Sequence, residues 1–367
     1  MSSRHLLHVF PTYCAAGPQV RAATLMRGLG AKYRHTVVAM DGRTGAADLA
    51  DDTDLQLVDF ASGPGPGSAA RFFRKLLQEQ APDLLLSYNW GAIDAVIAAR
   101  SVGMRRIVHH EDGFNVDEAQ RLKLRRNWTR RLVLQGVDTI VPSRRLERIG
   151  REKWRLQRLH FIPNGIDASV FNRDPHLGAA FRESLGIPAD AVVVGTVGHL
   201  RKVKNFGRLL RVFSAAEYSP MHLVIVGDGS ERGGLETEAG SIDSLVHFTG
   251  HLSDLRAAYS AFDVFALSSD SEQQPVSLLE AMAASLPVCA TDVGDVKASL
   301  PGSAHDYIVS LGPTVEATMA DGLTRLAGDR SRRQALGAEN RQHVEQYYSD
   351  IAMLSAYEKV YAAALSR

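Results

Sequence analysis

Glu272 and Glu280 stand eight positions apart in SSDSEQQPVSLLEAMAASLPVCATDVGD (residues 268–295), and the chain changes from loop to helix between them. Ser268 to Gln274 is polar and turn-like. Pro275 suits a first helical position, where its fixed φ helps and its missing N–H costs nothing, and Val276 to Ala284 then reads as a helix with an apolar stripe. One carboxylate ahead of a helix and another just over a turn inside it can meet a single bound molecule at different heights. The unpaired N–H groups at the helix start offer a seat for a diphosphate between them. The chemistry such a set could serve is transfer of a sugar from a diphosphate leaving group. An amphipathic helix with two solvated glutamates accounts for the same residues without chemistry.

A second set of groups lies in GTVGHLRKVKNFGRLLRVF (residues 195–213). Gly195 and Gly198 allow backbone to approach a ligand, and Arg201, Lys202 and Lys204 supply cations at a strand-to-helix turn. Charge building on a departing phosphate needs fixed cations of this kind. HLVIVGDGSERGGLE (222–236) is a strand, a turn at Gly227 and a helix.

In the first half, Gly17 and Pro18 open a helix after the first strand, in a pattern that is not GxGxxG, and no acidic residue follows at dinucleotide spacing. His109, His110, Glu111 and Asp112 end another strand. Their adjacency spreads them around a strand end and lacks HxH or HxxxH spacing, so a metal is not expected. Asp52-Thr53-Asp54 has the form of a metal-binding DxD but sits in an acidic stretch that reads as a solvated loop. Arg121, Lys123, Arg125, Arg126, Arg130 and Arg131 crowd a helical stretch with Leu122, Leu124, Trp128 and Leu132, and RFFRKLLQ (71–78) repeats the style. Such helices suit a protein resting on an anionic leaflet, and they also cover proteins with no such role.

These groups need elements to position them. Strand-like runs at His5–Phe10, Thr36–Met40, Leu84–Tyr88, Arg106–His109 and Thr139–Pro142 alternate with helical patterns. The rhythm restarts at Val192–Val197, His222–Val226, Val246–Thr249, Val264–Leu267 and Val288–Ala290. Strand and helix in alternation predict two doubly wound parallel sheets, ligands lying beyond the carboxyl ends of the strands. The expected organisation is α/β, with a first domain over 1–175, a second over 188–348, a seam at Val170–Pro188 and a cleft between them.

At 367 residues two domains are the natural expectation. No apolar run spans a bilayer, MSSRHLLHVF lacks a signal-peptide layout, and Cys14 and Cys289 form no framework, which points to the cytoplasm. The net charge of +1 hides an asymmetry: residues 1–175 carry 26 Lys+Arg against 18 Asp+Glu, and the rest 16 against 23. A basic first half favours an anionic surface or a phosphate-bearing acceptor. Nucleic acid is not expected, since no reading fold accompanies the basic stretch.

Taken jointly, the paired glutamates, EAMAASLPVCATDVGD and the Lys204-Asn205 step resemble GT-B retaining glycosyltransferases of family 4. The resemblance implies a nucleotide-diphosphate-sugar donor, no cofactor, no metal, and a lipid-linked glycan or glycolipid acceptor of cell-envelope synthesis at the inner membrane face. By the same resemblance Glu280 holds the ribose hydroxyls, while Glu272, with Pro275 and Val276, meets the sugar and diphosphate; Gln273 and Gln274 stand where the family usually has Gly-Phe, and their amides could read sugar hydroxyls or a carboxylate. Lys204 takes the phosphate, and the turns at Gly198 and Gly227 and the backbone at Phe248 line the nucleotide. His199 stands where the family usually has arginine, so Arg201 is the substitute. The turn at Gly17 reaches over the diphosphate, and His109, with His110 second, approaches the reacting sugar. Arg125, Arg126 and Trp128 fall on the acceptor or membrane side. A helix over 350–367 is implied to cross back onto the first domain. A nucleotide-sugar 2-epimerase and a non-catalytic nucleotide-sugar-binding subunit share the architecture.

Overall fold

The structure is a computed structural model. It describes all residues except 1, 2, 15, 64, 66, 115–117, 119–121 and 219, together with the side chains of 241 and 243; Arg121 therefore lies outside the described residues. Two compact units emerge, one of residues 1–164 with 351–367 and one of residues 165–350.

The first unit is built on seven parallel strands: β1 (Arg4–Phe10), β2 (Tyr33–Ala39), β3 (Leu55–Asp59), β4 (Leu84–Tyr88), β5 (Ile107–His110), β6 (Asp138–Val141) and β7 (Leu159–Phe161), in the order β3-β2-β1-β4-β5-β6-β7. Between them run α1 (Gly17–Leu29), α2 (Ser68–Gln80), α3 (Ile93–Ser101), α4 (Leu124–Val133) and α5 (Arg144–Glu152). The central strands are buried on both faces, hence their near-continuous apolar runs. Strand β3 was not foreseen: as an edge strand it is mostly exposed, and its residues LQLVD carry little apolar signal. Strand β7, at the other edge, was also not foreseen, being only three residues long.

The second unit has α6 (Pro175–Ser184), then β8 (Val192–Val197), α7 (Phe206–Ala215), β9 (Met221–Val226), α8 (Arg232–Ala239), β10 (Val246–Gly250), α9 (Arg256–Ala261) and β11 (Val264–Leu267). It continues with α10 (Val276–Ala283), β12 (Val288–Thr291), β13 (Ile308–Val309), α11 (Val315–Gly328) and α12 (Arg330–Tyr347). Its parallel strands are ordered β10-β9-β8-β11-β12-β13. Connections run outward from β8 on one side and from β11 on the other, so the β8/β11 junction is the switch point of the sheet.

The expected seam at Val170–Pro188 is corrected to Asn164/Gly165. The Asp, Asn and Pro residues that resembled a linker are helix-start chemistry: Asp167 caps a short turn, and Asp174 accepts from the amides of His176 and Leu177 ahead of Pro175. Arg182 then ties α6 to the second unit through Ala261 and Asp263, 2.7 Å from the carboxylate. The last helix, α13 (Asp350–Leu365), contributes Met353, Tyr357, Val360 and Tyr361 to the core of the first unit.

Candidate functional site

At the switch point of the second sheet, the segments leaving β8 and β11 are stitched together. Asp270 donates its amide to the Val203 carbonyl at 2.9 Å, and Ser268 Oγ donates to the Asn205 carbonyl at 2.9 Å. Asn205 adopts φ +47°, a left-handed conformation that asparagine tolerates, and its side chain caps α7 by accepting from the Arg208 amide. Arg208 reaches back to the Ser268 carbonyl at 2.8 Å and to Asp270 at 2.6 Å. On this frame Lys204 Nζ lies 2.6 Å from Glu272 Oε1, which also accepts from Ser269 Oγ at 2.7 Å.

Glycines complete the same end of the sheet. A Cβ added at Gly198 would come 4.0 Å from Lys204 Cε, so that turn runs beside the cation. Gly227, at φ +136°, passes so close to the Gly198 carbonyl that any side chain would overlap it, and its amide donates to the Gly250 carbonyl at 2.8 Å. The carboxyl ends of β8, β9 and β10 thus present backbone rather than side chains. Phe248 is half-buried and packs on the core; its carbonyl accepts from Arg232. His199 and Arg201 are both exposed.

Glu272 lies on the loop and Glu280 inside α10, as expected, but Pro275 is the N-cap, its ψ of 127° keeping it outside the helix. Glu280 is half-buried and accepts from the Tyr259 hydroxyl at 2.6 Å. Burial holds its carboxyl above the usual carboxylate range, a rise that the Tyr259 hydrogen bond opposes. Gln273 and Gln274 are buried; the Gln273 carbonyl accepts from the Asp295 amide at 2.7 Å, and the Gln274 amide reaches toward Ser299 Oγ. Val276 opens α10 half-buried. Tyr259, Ser269, Asp270 and Gly294 escaped sequence reading. Tyr259 reads as one more core aromatic, because nothing local shows that its hydroxyl meets a carboxylate 21 positions on.

In the first unit, Gly17 begins α1 ahead of Pro18. Arg21, in α1, is buried: it pairs with Asp112 at 2.5 Å and donates to Asn164 Oδ1 at 2.9 Å. His109 and His110 lie at the end of β5. Both are fully enclosed, because β5 is a central strand covered on each face. His109 Nδ1 is 2.9 Å from Ser87 Oγ, and its Nε2 is 3.6 Å from Glu111. His110 meets the Tyr361 hydroxyl at 3.0 Å and stacks on Tyr88. Arg126 is turned to Glu118 at 2.9 Å and lies over the Trp90 ring, whereas Arg125 and Trp128 are exposed. The described residues contain no group of three or more side chains able to hold a metal, and no described helix is long and apolar enough to cross a membrane.

Two family models match: Glycosyl transferases group 1 over residues 191–329 and Glycosyltransferase Family 4 over residues 15–170. The chain belongs to the GT-B glycosyltransferases of family 4. Among curated relatives, a GDP-mannose-dependent alpha-mannosyltransferase of Mycolicibacterium smegmatis is 35% identical over 46% of this chain and 42% of its own length. A D-inositol 3-phosphate glycosyltransferase of Saccharomonospora viridis is 30% identical over 55% of this chain and 50% of its own. The chain spans about half the length of the curated relatives it matches. Among solved structures, Anabaena HepE, crystallised with UDP-glucose, superposes with a TM-score of 0.83 over 98% of this chain and 99% of its own, at 16% identity; that likeness speaks to the GT-B fold.

Proposed function

We propose that this family 4 protein is a retaining, metal-independent glycosyltransferase, moving a sugar from a nucleotide-diphosphate sugar to the hydroxyl of a lipid-linked glycan or glycolipid. The observation that carries the reading is the Lys204–Glu272 pair at the β8/β11 switch point, beside the Gly198 turn and ahead of α10. Lys204 neutralises charge on the β-phosphate, with the exposed Arg201 as second cation, and the first amides of α10 share that task. Glu272 accepts hydroxyls of the sugar. Glu280 accepts the ribose diol, an ionised carboxylate being able to take both hydroxyls. Gly198, Gly227 and the backbone at Phe248 border the nucleoside.

In the proposed step the bond from the anomeric carbon to the β-phosphate oxygen breaks, and the acceptor oxygen bonds to that carbon on the same face. The acceptor proton passes to the departing phosphate, so no protein base is needed. The similarity to a GDP-mannose-dependent alpha-mannosyltransferase and to a D-inositol 3-phosphate glycosyltransferase supports this class of chemistry.

The test is a thermal-shift screen over nucleoside diphosphates and their sugars, in which a native-state ligand raises the melting point with ln(1+[L]/Kd). Release of nucleoside diphosphate from each donor that binds is then measured for wild type and Glu272→Ala. The expected result is binding by both and turnover by wild type alone. Donor binding with no turnover by either would leave a binding subunit in place of an enzyme.

A further inference from the structure

Helix α4 (Leu124–Val133) turns opposite faces to very different surroundings. Its inner face is fixed by Arg130, 1% exposed, whose Nε lies 2.8 Å from Glu111 and whose NH1 lies 3.4 Å from Glu118. The guanidinium carbon sits 5.1 Å from the ring centres of Trp90 and Trp154 and 5.4 Å from that of Phe114. Asn127 Oδ1 accepts from Trp154 Nε1 at 2.7 Å on the same side. This helix cannot roll to hide its other face.

That other face carries Leu124, Trp128 and Leu132, which are 74%, 58% and 66% exposed. Their four-residue spacing aligns them in one stripe about 12 Å long. Basic groups flank it: Arg125 is exposed, and the Arg131 guanidinium lies 5.1 Å from the Trp128 ring centre. The helix holds four arginines and no acidic residue.

We propose that this stripe docks on the interfacial layer of an anionic bilayer, with Leu124, Trp128 and Leu132 entering the headgroup–acyl boundary and Arg125 and Arg131 meeting lipid phosphates. Indole at the boundary, apolar side chains below and arginine stems reaching back to the headgroups is the arrangement an interfacial helix requires. A second copy of the chain is the weaker occupant. Three side chains fall well short of the roughly 800 Å² per partner in a stable interface, and two such faces would set arginines against arginines. The inference deepens the acceptor half of the proposed function by giving a lipid-linked acceptor a surface on which to meet the enzyme. Its test uses neither donor nor turnover, so its failure would leave the transfer reading standing.

The experiment is co-sedimentation of the intact protein with phosphatidylcholine vesicles, with and without a one-third share of phosphatidylglycerol. Wild type should pellet with the anionic vesicles and be released by salt. Arg125→Glu should weaken partitioning about fivefold or more, the scale of one basic side chain near an anionic surface. The triple variant Leu124→Ser, Trp128→Ala, Leu132→Ser should lose binding while keeping wild-type circular dichroism, since all three side chains face outward. The proposal is overturned if wild type stays in the supernatant or if the triple variant pellets like wild type. It is equally overturned if wild type is a dimer without lipid that the triple variant converts to a monomer. Arg125→Glu and the salt series decide the matter if the triple variant does not fold.

Discussion

Lys204 and Glu272, 68 positions apart, meet at 2.6 Å with both side chains largely buried. The pair forms because the segment after β8 and the segment after β11 leave neighbouring strands at the point where the sheet reverses its winding. A phosphate arriving there can take over one side of the lysine while the carboxylate keeps the other, so the cation is aligned before any ligand binds.

Replacing Lys204 by Met should lower kcat by about 10²–10³-fold, the usual cost of losing one preorganised electrostatic donor. Donor affinity should fall less than kcat, because charge on the phosphate is largest as the sugar bond breaks. Steady-state kinetics with a donor identified by thermal shift check this. An unchanged kcat would remove Lys204 from the reaction.

Tyr259→Phe takes away the hydroxyl that orients Glu280, and nucleoside-diphosphate affinity should fall about tenfold or more, the scale of one hydrogen bond to a charged group. The preference for a ribonucleotide over its 2′-deoxy analogue should shrink with it, which a merely structural tyrosine would not cause. Burial raises the Glu280 carboxyl, so the ionised form that accepts hydroxyls is lost as pH falls, and affinity should decline on the acid side. Without the opposing tyrosine bond that decline should begin at higher pH in the variant. Calorimetric titrations with UDP and GDP across pH read both effects.

Gly294→Ala should disturb the site without touching a ligand. Gly294 has φ +61° and lies against the carbonyls of Glu272 and Gln273, so a methyl group would push the Glu272 loop outward. The expected signature is loss of turnover greater than any loss of melting temperature.

Acid should destabilise the first unit through its buried histidines. His8 lies 3.0 Å from His35 and 3.1 Å from the Tyr88 hydroxyl. Burial, then neighbouring positive charge, lowers His8 and His110, and burial pushes His35 down to about 4 although Asp54 opposes it. A base that binds its proton less readily when folded favours the unfolded chain in acid. This stability is therefore complete above the unfolded value of about 6.5 and is lost as pH drops toward 4. The His35 share is roughly 1–2 kcal/mol at about pH 5. Urea titrations at neutral and mildly acidic pH should show the loss, and His35→Gln should reduce the slope.

Sequence made the sheet cores legible because parallel strands buried on both faces must be apolar throughout, as in LLLSY of β4 and VVVGTV of β8. It read β3 poorly, since an edge strand shares its exposure with loops. The loop that carries Glu272, the helix that carries Glu280 and the turn that carries Lys204 were legible from residue type and local spacing. The burial of Arg21 and of the two strand-end histidines was not legible for one reason: burial of a polar group depends on partners such as Asp112, Ser87 and Tyr361, which are distant in the chain. Tyr259 and Gly294 were silent because what matters is a contact made across the fold.

The chain visits the first unit, builds the whole second unit, and only then supplies Tyr357 and Tyr361 to the interior it began. A ribosome making this protein therefore releases a second unit able to close on its own while the first still waits for its final helix. Until that helix emerges, His110 lacks the rings of Tyr357 and Tyr361 that pack against it. Newly made chains should accordingly remain open to proteolysis in their earliest-synthesised portion for longest.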